Sequence, residues 1–197
     1  MSDVGGREAA DRVVVTGGTG LVGRRLVDDL RESGVAVTVL SRGAAGVLPT
    51  GVTRVAVAYD RGIDPELLAD AGSLVHLAGA GVADGRWTPA RRRVIRDSRV
   101  ESARALVRAI ADLPQARRPR ALVSASAVGI YGDRGDEILT EASDPGSGFL
   151  AEVCKEWEAS VLAAGRLGVR VAVLRFGMVL ARDGGALTRL VPLFRFG

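Results

Sequence analysis

The sequence predicts an α/β fold, a doubly wound parallel sheet with helices on both faces. Two observations carry that expectation. Six short runs rich in valine and leucine alternate with helix-patterned segments along the 197 residues, and strands alternating with helices in this way build parallel sheets. The first run also passes directly into a cluster of glycines and then a helix, in the stretch Val13 to Leu30, VVVTGGTGLVGRRLVDDL.

Composition bounds what such a fold can be. With 47% apolar residues, a chain of this length buries on the order of 70% of its unfolded surface and suits one main domain. No run approaches the roughly 18 apolar residues of a membrane span, and the N-terminus has no apolar signal core, so a soluble cytoplasmic protein is expected. One cysteine, Cys154, excludes an internal disulfide and gives no sign of a metal cluster. The net charge of +4 arises from 27 basic residues nearly matched by 23 acidic ones. The basic residues are spread along the chain and are not interleaved with stacking aromatics, so nucleic acid is not the expected partner. All of them are arginines except Lys155.

Residues 1–11 are small and polar and read as a flexible lead-in; a main domain is expected over residues 12–185. The first strand runs from Arg12 to Thr16, and Val22, Leu26, Val27 and Leu30 give the following helix its apolar stripe. Between them Gly17, Gly20 and Gly23 fit a G-x-x-G-x-x-G pattern, and Gly18, Gly20 and Gly23 fit the tighter G-x-G-x-x-G fingerprint. A pyrophosphate needs glycines here because a Cβ would hold the backbone away from it, while free N–H groups and the positive helix end hold its charge. Gly17, Gly18, Thr19, Gly20, Leu21, Val22 and Gly23 are therefore candidate cofactor contacts.

Gly34 caps that helix, and Ala36 to Leu40 is the second strand, ending in Ser41 and Arg42. An NAD-preferring site usually has a carboxylate near this point to take the ribose hydroxyls. Arg42 instead suits the 2′-phosphate of NADP. Val52 to Ala58 reads as the third strand, and Asp64 with Pro65 starts a short helix to Ala71. Ser73 to Leu77 is the fourth strand, entering Ala78-Gly79-Ala80-Gly81. Small residues after a strand suit close approach of a cofactor, which adds Leu77, Ala78 and Gly79 to the candidates. His76, the single histidine, has no orienting acid in the sequence and reads as a core residue with a hydrogen-bond partner.

The longest helix starts at a Thr88 cap with Pro89 in its first turn and reaches about Leu113, with Ile95, Arg99, Ala103, Leu106, Ile110 and Leu113 in one stripe. Arg91, Arg92, Arg93 and Arg96 crowd its positive end, reading as a solvated face, and Trp87 reads as a hydrophobic staple. Arg120 to Ser126 is the fifth strand and leads into AVGIYGD and a long acidic loop. Phe149 to Leu167 is the next helix, with Phe149, Val153, Trp157, Val161 and Leu162 as its apolar line; Gly168 closes it before the sixth strand, Val169 to Leu174. Ala186 to Phe196 reads as helical or turn-like. Its apolar ending, LVPLFRFG, predicts continuation into a further segment.

In order, TGGTGLVG, HLAG, SASAVGIYG, the helix around Lys155 and VLRFGMVL resemble the extended short-chain dehydrogenase/reductase superfamily. RWTPARRRVIRDSRVESARALV, FLAEVCKEWE and LRFGMVLARDGGAL look more narrowly like its YfcH-like branch, of the NAD(P)-dependent epimerase/dehydratase type. The resemblance implies a Rossmann-type domain over residues 12–185, with residues 186–197 opening a C-terminal substrate-binding portion. It also implies a nicotinamide dinucleotide, which Arg42 narrows to NADP with NAD less favoured, a small-molecule substrate, and dimers through the two helices that begin near Thr88 and Phe149. In the superfamily a strand-end serine orients the substrate oxygen, a tyrosine is the acid/base, and a lysine four residues later holds the nicotinamide ribose. Lys155 matches the lysine and Ser126, or less well Ser124, the serine. Ala151 stands where the tyrosine would be, and Arg99 where many members have asparagine. Tyr131 lies too far from Lys155 for the usual spacing; it or a bound water is the candidate substitute. The resemblance, with Arg42, implies an NADP-dependent oxidoreductase or epimerase-like enzyme acting on a small hydroxyl or carbonyl substrate, a nucleotide-sugar-like one among the candidates; a non-catalytic NADP-binding sensor or docking protein is the alternative.

Overall fold

The computed structural model describes residues 12–43, 46–182 and 184–195; the lead-in expected over residues 1–11 lies outside the described residues. Six strands form one parallel sheet: β1 (Val13–Thr16), β2 (Val37–Ser41), β3 (Thr53–Ala56), β4 (Ser73–His76), β5 (Ala121–Ala127) and β6 (Arg170–Phe176). Their spatial order is β3-β2-β1-β4-β5-β6, so the chain reverses direction across the sheet between β1 and β4. This is the Rossmann arrangement, and the reversal leaves a crevice at the carboxyl ends of those two strands.

Alternation along the strands divides the core between the two faces. Val14, Leu40, Leu74 and Leu122 join the larger cluster beneath the helices α2 (Pro89–Ala111) and α3 (Phe149–Leu162). Val15, Val37 and Val39 point the other way and pack with Val27 of α1 (Leu21–Glu32). The α2 stripe is buried as its spacing requires, with Ile95, Ala103, Leu106 and Ile110 all at 2% exposure or less. Thr88 Oγ1 accepts from Arg91 N at 3.2 Å, and Pro89 occupies the first turn, so both start signals are used. On the α1 side the covering stops short of β6, where Leu174 remains 47% exposed.

Several elements differ from expectation for local reasons. The short helix expected from Pro65 is one 3-10 turn, Pro65–Leu67, although Asp64 does cap it by accepting from Glu66 N at 3.0 Å. Asp70 at φ 60° leaves the helical region and stops propagation. The helix expected to reach Leu167 is α-helical only to Leu162 and then tightens into a 3-10 segment, Ala163–Leu167, before Gly168 ends it at φ 82°. Leu162, the last α-helical residue, is 52% exposed instead of joining the apolar line. Trp87 is not a staple within its own helix: its ring meets Phe149 of α3 edge-on at 5.4 Å, and Nε1 donates to Val82 O. A two-stranded hairpin, β7 (Leu180–Ala181) with β8 (Gly184–Gly185), is an element the sequence reading lacked; α4 (Leu187–Arg195) follows it, where a helix or a turn was expected.

The close packing of the first turn gives a direct test. A Cβ at Gly23 would lie 2.2 Å from the Gly17 carbonyl oxygen, whereas one at Gly165 would meet nothing within 4 Å. Gly23→Ala is expected to cost about 2–3 kcal/mol, and Gly165→Ala to stay within about 0.5 kcal/mol of the parent, both read by urea denaturation.

Candidate functional site

The glycines after β1 divide their work between packing and access. Gly17 sits at φ +73°, and a Cβ there would lie 2.6 Å from the Leu77 carbonyl carbon, so this residue lets the turn pass directly over the end of β4. Gly18 is closed by Val39, whose Cγ2 would lie 2.8 Å from a Cβ, and Gly23 by Gly17 itself. Gly20 differs: the nearest atom to a Cβ there is 3.3 Å away, and its bare Cα faces the crevice. It is also the N-cap of α1 and provides no side-chain cap. The N–H groups of Leu21, Val22 and Gly23 therefore end the helix without intrahelical partners, an arrangement suited to an anion.

This turn borders a cleft of about 910 Å³ whose walls include Gly17, Thr19, Gly20, Ser41, Arg42, Leu77, Ala78 and Gly79. Eight of the sequence-derived cofactor candidates thus share one cavity, large enough for a dinucleotide. Gly18, Gly23, Leu21 and Val22 stand behind or beside it. The Ser41 hydroxyl donates to Gly43 O at 2.8 Å, while the exposed Arg42 guanidinium stands at the cleft wall. Tyr59, which the sequence reading missed, also lines the cleft; burial pushes its phenol up, opposed by a hydrogen bond with Thr16 and the charge of Arg42. No sequence motif marked it, because a tyrosine just past a short strand has no distinctive spacing.

A polar row crosses the sheet on the α2/α3 face. Thr16, His76 and Ser124 are register partners on β1, β4 and β5, and all are buried. Thr16 Oγ1 lies 2.6 Å from His76 Nδ1 and Ser102 Oγ lies 3.3 Å from Nε2. Complete burial lowers the imidazole to about 4, so His76 is neutral at physiological pH. This is the expected core histidine with partners.

One strand position further, the predicted catalytic residues separate into two groups. Ser126 Oγ donates to Glu158 Oε1 at 2.6 Å, and Glu158 accepts from Arg175 Nε and Nη2 at 2.9 Å each. Arg175 Nη1 donates to Tyr131 Oη at 2.7 Å, so Ser126 and Tyr131 belong to one network through a carboxylate and a guanidinium. Burial pushes the Glu158 carboxyl up, but bonds from Arg175 and Ser126 outweigh it and hold the group below its ordinary value. Lys155 is not part of this network. Its ammonium pairs with Glu152 Oε1 at 2.5 Å on the partly exposed side of α3, and Ala151 is buried at 1% exposure. Glu158 was legible in part, since a charged residue beside Trp157 on a buried helix line is anomalous; Arg175 carried no such mark.

The family profile described as NAD dependent epimerase/dehydratase matches residues 13–195. This chain belongs to that family. The chloroplastic epimerase family protein SDR39U1 homolog of Arabidopsis thaliana is 38% identical over 192 residues, covering 96% of this chain and 55% of the plant protein. The epimerase family protein Mb2239 of Mycobacterium bovis is 36% identical, covering 94% of the chain and 59% of that relative. The chain therefore spans somewhat over half the length of these relatives. Among solved structures, the human SDR39U1 protein with NADPH superposes with a TM-score of 0.75 at 31% identity, covering 94% of this chain and 60% of that one. A nucleoside-diphosphate sugar epimerase from Corynebacterium glutamicum gives 0.74 at 40% identity, covering 94% and 38%. No helix of the described residues is long and apolar enough to cross a membrane, and among them no group of side chains could hold a metal ion.

The Glu158 network has a measurable pH signature. Glu158→Gln removes the counter-ion of a largely covered Arg175 and is expected to destabilise by about 3 kcal/mol near neutral pH. Because the folded carboxyl lies below its unfolded value of 4.5, its contribution is complete above that value and is lost as pH falls through the lower, folded one. The stability gap between parent and Glu158→Gln is therefore expected to be flat from neutrality to about 5 and to shrink in more acidic solution, measured by denaturation at each pH.

Proposed function

We propose that this chain carries the cofactor site of an NADP-dependent oxidoreductase or epimerase-like enzyme acting on a small hydroxyl or carbonyl substrate of the sugar-nucleotide kind. The observation that carries this reading is the uncapped α1 N-terminus at Gly20, opening into a cleft that also reaches Arg42. The residues present fit a dinucleotide: bare glycine and free N–H groups for its pyrophosphate, and a guanidinium in place of the ribose-binding carboxylate. The names of the human and Corynebacterium relatives support the same assignment. When bound, a nicotinamide supplies hydride acceptance and donation.

The chain's own residues have distinct tasks in this reading. Ser126 orients the substrate oxygen, exchanging its bond to Glu158 for one to the ligand. Tyr131 donates or receives the proton: Arg175 already donates to its oxygen, which leaves the phenolic hydrogen to point at a ligand. Lys155 leaves Glu152, an ion pair of small net value at this exposure, to bind ribose hydroxyls. A small-molecule partner and pairing through α2 and α3 belong to the same proposal. The second reading, a non-catalytic NADP-binding sensor, draws on one observation: the buried methyl of Ala151 where the superfamily has its acid/base.

Fluorescence titration with NADPH and NADH tests the cofactor assignment. NADPH is expected to bind at least tenfold more tightly, and Arg42→Ala to weaken NADPH by about ten- to hundredfold while leaving NADH unchanged; equal or tighter NADH binding overturns it. Turnover of a carbonyl panel with NADPH, lost in Ser126→Ala and in Lys155→Ala, supports the enzyme. Tight NADPH binding without turnover of any carbonyl supports the sensor.

A further inference from the structure

Arg54, on β3, directs its guanidinium at main-chain carbonyls of the loop that follows Arg42. Nη1 donates to Gly43 O at 3.5 Å, and Nη2 donates to Gly46 O. Gly43 O also accepts from Ser41 Oγ at 2.8 Å. The Ser41 bond closes a turn around Arg42, and the Arg54 bond ties that turn to the neighbouring strand. The sheet register explains the reach: Arg54 pairs with Val39 and Ala56 with Ser41, so the loop leaves β2 two residues beyond the partner of Arg54. Val55 packs into the cluster beneath α2 and α3, and alternation puts Arg54 on the opposite face, with Val39 and α1.

The far end of the same loop meets the glycine turn. Gly46 stands at φ +85°, and a Cβ there would lie 3.0 Å from Thr19 Cβ and 3.2 Å from Thr19 Cγ2. Thr19, Ser41 and Arg42 line the cleft, whereas Arg54 is not part of its wall. One prong of Arg54 therefore holds the residue after Arg42, and the other holds the residue that rests on Thr19. Two carbonyls at a fixed separation suit the planar fork of a guanidinium, which the point charge of an ammonium does not reproduce. A loop held before the ligand arrives does not lose that freedom on binding, so the tether favours whatever Arg42 binds.

We propose that Arg54 is a positioning residue for nucleotide selectivity: it clamps the Gly43 and Gly46 carbonyls and so sets Arg42 at the cleft wall for a 2′-phosphate. The inference rests on the reading that Arg42 takes that phosphate. Arg54 itself makes no contact with the ligand, and its effect passes through Arg42.

Fluorescence titration of NADPH and NADH on the parent, Arg42→Ala, Arg54→Ala, Arg54→Lys and the Arg42→Ala/Arg54→Ala double variant tests it. Arg54→Ala is expected to lower the ratio of NADPH to NADH affinity about three- to tenfold, the net effect of roughly one hydrogen bond. Adding it to Arg42→Ala is expected to change the ratio by less than about twofold, because the group it positions is already gone. Arg54→Lys keeps the charge without the fork and is expected to recover less than about half of the loss on a logarithmic scale. Should Arg54→Ala fail to give a cooperative melt, the shortfall of Arg54→Lys against the parent carries the test. A ratio unmoved in Arg54→Ala, with both nucleotides weakened together or neither, overturns the proposal. Losses that multiply in the double variant overturn it too, since Arg54 then touches the phosphate directly, and so does full recovery in Arg54→Lys. A parent that binds both nucleotides equally, or an Arg42→Ala that leaves the ratio unchanged, defeats the NADP reading instead. Tryptic cleavage after Arg42 in the unliganded protein, located by mass spectrometry, then decides the clamp separately: faster cutting in Arg54→Ala sustains it, and equal rates overturn it.

Discussion

The structure depends on one close crossing, the passage of the Gly17 backbone over the end of β4. Nothing larger than hydrogen fits there, because a Cβ would meet both the carbonyl of Leu77 and the amide of Ala78. That approach sets the height at which α1 leaves the sheet, and Gly23 then repeats the demand one helical turn later against Gly17 itself. The crevice exists because two strands that are neighbours in space send their chains to opposite sides. Gly20, three residues on, leaves the first turn of α1 without a side-chain cap at the edge of that crevice. Fold and candidate site are thus one constraint seen at two scales.

A second organising feature is the way polarity is admitted to the core. The carboxyl ends of β1, β4 and β5 carry hydroxyls and an imidazole on the face that, four residues earlier or less, carries only valine and leucine. His76 is paired across element boundaries to Thr16 and Ser102 and Ser126 to Glu158, while Ser124 donates to Ala125 O of its own strand, so the cost of burial is offset without ions standing alone. The polar end of the sheet is also the end where ligands enter this fold.

Much of this was legible in the sequence. Six strands, the Thr88–Pro89 start, the glycine turn and a partnered core histidine follow from periodicity, capping chemistry and backbone sterics, all of which act over a few residues. The cleft wall formed by the strand ends was legible for the same reason, since Gly17, Arg42 and Ala78 follow strands directly, whereas Tyr59 and the α2 residues Asp97 and Ser98 that complete it were not. The catalytic grouping was not. Lys155 was singled out as the single lysine, yet what decides its role is whether Glu152, three residues away, or a ligand holds it, and composition cannot rank those partners. Arg175 and Tyr131 are 44 residues apart and meet only because β5 and β6 pair in one particular register. The hairpin at Leu180–Gly185 escaped because two-residue strands have no period to detect.

His76 gives the molecule an internal gauge. A chain with one histidine has one set of imidazole resonances, and this ring stays neutral well below physiological pH, held by a β1 hydroxyl on one nitrogen and an α2 hydroxyl on the other. Acidity near neutrality leaves it untouched. What its chemical shifts register is the spacing of β1, β4 and α2, the three elements that frame the crevice, so a single unlabelled nucleus in the core reports whether that crevice opens or closes.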